Sequence, residues 1–150
     1  MLLLPLVAFA LTAPLDLRVH AWRHRVVLVF SPDAAHPALA AQRLEWGGRE
    51  PAVLLGGPDA GEFDDRDLVV YLVTPTLITR EGAGLREVLP PDPSLRARLG
   101  VSLDTFTVLL LGKDTGEKAR EVGATLTREA LFSRIDSMPM RQAEMRRGGE

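Results

Sequence analysis

Residues 105–120 read TFTVLLLGKDTGEKAR. The run 106–111 is six apolar or β-branched residues in succession. It is too short to cross a membrane and rich in strand formers, so it predicts a strand buried on both faces. Gly112 ends it. Asp114-Thr115-Gly116 is turn chemistry: Asp opens a type I turn, and Gly116 is expected to take the left-handed position that closes it. Residues 117–122 then predict a polar return strand of the kind that guards a sheet edge.

Working outward, two further apolar runs, VVLVF at 26–30 and DLVVYLV at 67–73, predict two more buried strands. Between them, residues 31–37 form a loop, because each proline disfavours helix at the residue before it. Pro37 then opens a helix to about Trp46, expected to bury Leu39, Ala40 and Leu44 and to stop at Gly47. Residues 47–65, rich in Gly, Pro and Asp, predict a long surface excursion with one apolar tab at 52–55. Residues 74–91 read as a loop. Asp92 caps a short helix with Pro93 at its first position, and Gly100 ends it. Thr127 caps a later helix that turns Leu131, Phe132 and Ile135 inward, with Glu129 favourable at its N-terminus. Pro139 breaks or restarts it, and 140–147 continue as a polar helical tail. Three buried parallel-type strands with helical crossovers, closed by an antiparallel hairpin and a helix, make an α/β, thioredoxin-like plan with a central mixed sheet and helices on both faces.

The 150-residue length fits one domain. A net charge of -2 gives no reason to expect nucleic acid or an anionic membrane surface as partner. Of 18 basic residues only Lys113 and Lys118 are lysine, a bias expected of a GC-rich bacterial genome. The chain has no cysteine, which removes disulfides, thiol redox chemistry, cysteine nucleophiles and thiolate metal sites together. Residues 1–13, MLLLPLVAFALTA, are apolar and uncharged. They are expected to be a signal peptide or anchor, with Ala8-Phe9-Ala10 as a small-x-small cleavage site, although a basic n-region is missing and Pro5 interrupts the run. The expected organisation is a domain over 14–147 with a tail at 148–150, exported to the periplasm or secreted, and with no membrane span in the mature protein.

The segments PLDLRVHAWRHRVVLVFSPD, Gln42, DDRDLVVYLV, FTVLLLGKDTGEK and IDSMPMRQAEM together resemble one family. It is the uncharacterised thioredoxin-like domain of small bacterial secreted proteins and of vertebrate equarin and sushi-repeat matrix proteins. The likeness runs from Pro14 to Met145. It implies an extracytoplasmic thioredoxin-like domain of unestablished activity. The chain departs from the pattern at 47–65, which is longer, and at Thr115, where the family usually has a second glycine.

No thiol stands in the loop after the first strand and no proline precedes the Phe106 strand, so the peroxiredoxin-like scaffold lacks redox chemistry and no cofactor is expected. Ser31, Asp33 and His36 are too local for a triad and read as turn formers. His20 and His24 are four apart but lack a third ligand, so they are expected to be an exposed pair and no metal site is assigned. Met138, Met140 and Met145 fit packing better than Cu(I). The remaining constellation is Lys113 and Asp114 in the turn with Asp136, Arg141 and Glu144 near the C-terminus. Arg141 and Glu144 are spaced to pair on one helix face. It is read as an ion network, Arg141 mainly structural and Lys113 solvent-accessible, or as a patch centred on Lys113 and Arg141 for an anion or for an unknown protein or envelope partner. The function expected is a non-redox binding module; the alternative is an enzyme with a non-thiol site at Lys113, Asp114 and Arg141.

Overall fold

The computed structural model describes residues 14–50, 53–56 and 60–148. Residues 1–13, where the export segment is expected, lie outside the described residues, as do the last two of the tail. The chain forms a 3-10 turn, Leu17–His20, and then β1 (Arg25–Phe30), α1 (Pro37–Glu45), α2 (Ala60–Asp65), β2 (Leu68–Val73), β3 (Ile78–Gly82), β4 (Leu85–Leu89), α3 (Ser94–Leu99), β5 (Thr107–Leu111), β6 (Glu117–Val122), α4 (Arg128–Asp136) and α5 (Pro139–Gly148). The six strands make one mixed sheet in the order β4-β3-β2-β1-β5-β6.

The three apolar runs are its centre, and β1, β2 and β5 are buried at every position. Only β1 and β2 run parallel; β5 lies antiparallel to β1. The expectation of three parallel strands therefore fails for β5. A continuous apolar run reports that both faces are covered, not which way the strand points. On one face, α1, α2 and α4 bring Leu39, Phe63, Leu131 and Ile135 against Val27, Val70 and Leu110. On the other, Leu95 of α3, with Leu15 and Leu17, covers Leu28, Tyr71 and Leu109.

Four local readings are corrected. Residues 74–91 contain the β3–β4 hairpin, which extends the sheet beyond β2. The 47–65 excursion contains α2, and Leu54 and Phe63 are core residues. Its glycines serve a close return: Gly47 and Leu55 form an isolated bridge, and a Cβ at Gly48 would clash with the Val53 carbonyl. Helix α1 buries Leu39 and Gln42, with Trp46 just past its end, while Ala40 is exposed and Leu44 is 76% exposed. The inward face thus follows 39, 42 and 46, and a polar Gln holds its middle. In the β5–β6 turn, Thr115 rather than Gly116 takes the left-handed position, at φ 68.

Candidate functional site

The site residues gather where β1 and β2 begin and β5 ends. Arg25 opens β1, and its amide donates to the Asp67 carbonyl at 2.8 Å, just before β2. Lys113 follows the end of β5, whose Leu111 stands opposite Val26. Helix α5 lays Arg141 and Glu144 over this end. Glu144 is the hub: it accepts from Lys113 Nζ at 2.6 Å and from Arg25 at 3.1 and 3.2 Å. Lys113 also donates to Asp67 at 2.7 Å. A second lobe joins Arg141 to Asp65 at 2.7 Å and to Asp136 at 3.1 Å, and Arg66 to Asp136 at 2.9 Å. Arg141 and Glu144, 3.8 Å apart, connect the lobes.

The constellation of Lys113, Asp136, Arg141 and Glu144 therefore exists as one network. Two readings need correction. Lys113 is not solvent-accessible: it is 9% exposed, because α5 closes over it. Asp114 stands apart: its carboxylate pairs with Lys118 at 2.9 Å and accepts from the Gly116 amide. Both bonds lie within the hairpin, and none links Asp114 to the Glu144 hub.

Burial works against charge on Glu144, but the bonds from Arg25 and Lys113 outweigh it and hold its pKa below the ordinary glutamate value. Asp136 is likewise held low, by Arg66 and Arg141 against its own burial. These carboxylates stay ionised at neutral pH and are already paired, which suits positioning better than proton transfer. Arg25, Arg66, Asp65 and Asp67 were not singled out in the sequence. Arg25, 1% exposed, carried a faint indication: a charge directly abutting a fully apolar run. Asp67 belonged to the run itself, and its φ of 51 is visible only in the fold. Trp22, at φ 65, sits close by, its amide donating to the Lys113 carbonyl at 2.7 Å while its side chain is in solvent. A cavity of about 270 Å3 opens beside the network, lined by Arg25, Lys113, Asp114, Lys118, Met138 and Met140.

His20 and His24 are not an exposed pair. His20, the last residue of the 3-10 turn, is buried, its Nδ1 3.1 Å from His24 Nδ1 and its Nε2 2.7 Å from the Tyr71 hydroxyl. Burial, with His24 and Arg80 nearby, pushes its pKa down to about 4, so it is neutral at pH 7. Among the described residues no group of three or more His, Asp or Glu is arranged to hold a metal ion. In the loop after β1, Ser31 donates to the Asp33 carbonyl, Asp33 accepts from the Ala35 amide, and His36 accepts from the Ala38 amide to cap α1. Each side chain makes a turn or a cap, and none is aimed at another as nucleophile and base.

No curated protein matches this chain. The family model described as Domain of unknown function (DUF4174) matches residues 16–144, which span the whole sheet, α4 and the first part of α5, and the chain belongs to that family.

Proposed function

We propose that the protein is a non-redox, thioredoxin-like binding module that works outside the cytoplasm. One observation carries the binding reading: the charges of the Lys113 network neutralise one another, leaving an exposed Trp22 beside them on a rigid base. A buried, fully paired network suits holding a surface in shape, and tryptophan is the side chain most enriched among binding hot spots. The enzyme alternative is less supported, since the charged groups of Lys113, Asp114 and Arg141 are each already paired with other side chains. The thioredoxin-like reading is supported by the core β2-β1-β5-β6, in which one parallel crossover through α1 and α2 is followed by an antiparallel hairpin and a helix. Without cysteine, such a scaffold has no thiol chemistry. The extracytoplasmic reading rests on the apolar residues 1–13. Among the described residues no helix is long and apolar enough to cross a membrane.

The test immobilises the protein and challenges it with cell-envelope extract. A discrete partner should be retained, and Trp22→Ala should release it without lowering the melting temperature. Retention unchanged by Trp22→Ala would remove Trp22 from the reading. Peroxide or disulfide turnover by the metal-free protein would end the non-redox assignment. Fractionation that finds an intact cytoplasmic chain beginning at Met1 would end the export assignment.

A further inference from the structure

A second polar cluster lies on the sheet face covered by α3, away from the Lys113 network. Tyr71, Arg80 and Glu87 stand opposite one another across β2, β3 and β4, so their side chains share one face. All three line a cavity of about 280 Å3, whose walls include Leu15, Val19 and Leu89. An apolar enclosure with a few convergent polar groups is the usual form of a small-molecule site.

Arg80 is the unusual member. Its NH1 donates to Glu87 at 3.1 Å. Its Nε is buried and has no acceptor. No bond from NH2 occurs among the described residues either. The Nε–NH2 edge of a guanidinium is the fork that takes a carboxylate through two parallel bonds. Glu87 balances the Arg80 charge, but a buried N–H without an acceptor is costly, and an acceptor on a ligand would satisfy it.

Tyr71 supplies a second donor. Its hydroxyl meets His20 Nε2, and neutral His20 meets His24 through its other nitrogen. If His20 Nε2–H donates to the tyrosine oxygen, and His24 Nδ1–H donates to His20, the Tyr71 hydrogen is free for a ligand. Without ligand, the chain reverses and the hydroxyl donates to His20. Every member stays satisfied in both arrangements. The rim carboxylates do not forbid an anion, because Asp16 is paired with Arg18 at 3.0 Å and Asp92 with Arg98 at 2.7 Å.

We propose that this cavity binds a carboxylate with a small apolar body, the carboxylate on the Nε–NH2 edge of Arg80 with the Tyr71 hydroxyl as a further donor. The carboxylate belongs either to a free organic acid or to the C-terminus of a peptide.

The test follows the full chain by two-dimensional NMR of its backbone amides and arginine Nε–H groups. The probes are phenylacetate, N-acetyl-alanyl-leucine, and the neutral amide of each. At least one acid should shift the Arg80 Nε–H signal and the β3 and β4 amides in a saturating manner. Its amide should bind about tenfold more weakly or worse. Arg80→Lys should weaken binding about tenfold, because an ammonium cannot present the fork. Tyr71→Phe should weaken it by a smaller factor. Glu87→Gln removes the competing anion and should tighten it, which keeps the test decisive where the Arg80 variant folds poorly. A response to phenylacetate assigns a free acid, and a response to the peptide alone assigns a chain end. Silence of the Arg80 signal with both acids, equal binding of acid and amide, or weakening by Glu87→Gln would overturn the proposal.

Discussion

Glu144 and Asp114 are both carboxylates paired with lysine, yet their surroundings give them opposite weights. Glu144 bonds Arg25 and Lys113, both deeply buried, whereas Asp114 and Lys118 share an exposed pair. Removing Glu144 leaves buried Arg25 without a carboxylate and buried Lys113 with Asp67 alone, and removing one partner of a buried pair costs about 3–5 kcal/mol. Glu144→Ala should therefore lower unfolding stability by about 3 kcal/mol in denaturant melts, and Asp114→Ala by less than about 0.5 kcal/mol. Equal losses would contradict the network. His20 sets the acid limb. Its folded pKa of about 4 lies below the ordinary 6.5, so between these values the unfolded chain takes up a proton that the folded chain refuses. Stability is complete above about 6.5 and falls as pH drops towards 4, by on the order of 2 kcal/mol. His20→Gln should flatten that window. The Glu144 and Asp136 contributions are also lost on acidification, but below their ordinary values of 4.5 and 3.8. A profile unchanged by His20→Gln would mean that the histidine is not held neutral.

Among the elements, α1 is joined to the segment before α4 through the Gln42 side chain. Gln42 accepts from the Leu126 amide at 2.7 Å and donates to its carbonyl at 2.8 Å, all of it buried. The pair imitates a backbone ladder where no strand is available. Gln42→Ala leaves both Leu126 groups without partners and should cost about 2–3 kcal/mol, measured as a shift of the denaturation midpoint with an unchanged slope. The same residue explains why helical periodicity misplaced the face of α1. Leu39, Ala40 and Leu44 make a plausible apolar stripe, but the core accepts Gln42 because Leu126 satisfies both ends of its amide. The cap of α4 was local and readable. Thr127 accepts from the Ala130 amide as expected, whereas the N-cap of α3 is Pro93 rather than Asp92, whose carboxylate accepts from the Ser94 amide one position further out. Pro139 does restart a helix.

At the scale of the whole molecule, the sheet is anchored by β1, β2 and β5 and thins towards β4, whose side chains are largely exposed. Hydrogen exchange should be slowest in the three central strands and faster in β4, reporting local opening at the edge. Uniform protection across the six strands would refute that gradient. The sequence by itself determined the three core strands, the final hairpin, the Thr127 cap and the absence of thiol chemistry. Each of these depends on neighbours within a few residues or on composition. The direction of β5, the strands within 74–91 and the burial of Phe63 were decided by the tertiary structure. They depend on which surface each segment meets, and a short apolar run carries no record of that. The site divides in the same way. The spacing of Arg141 and Glu144 was legible along a helix, but Arg25, Asp65, Arg66 and Asp67 reach them from up to 119 positions away. Charges so far apart acquire a common meaning only when the ends of β1 and β2 are brought under α5.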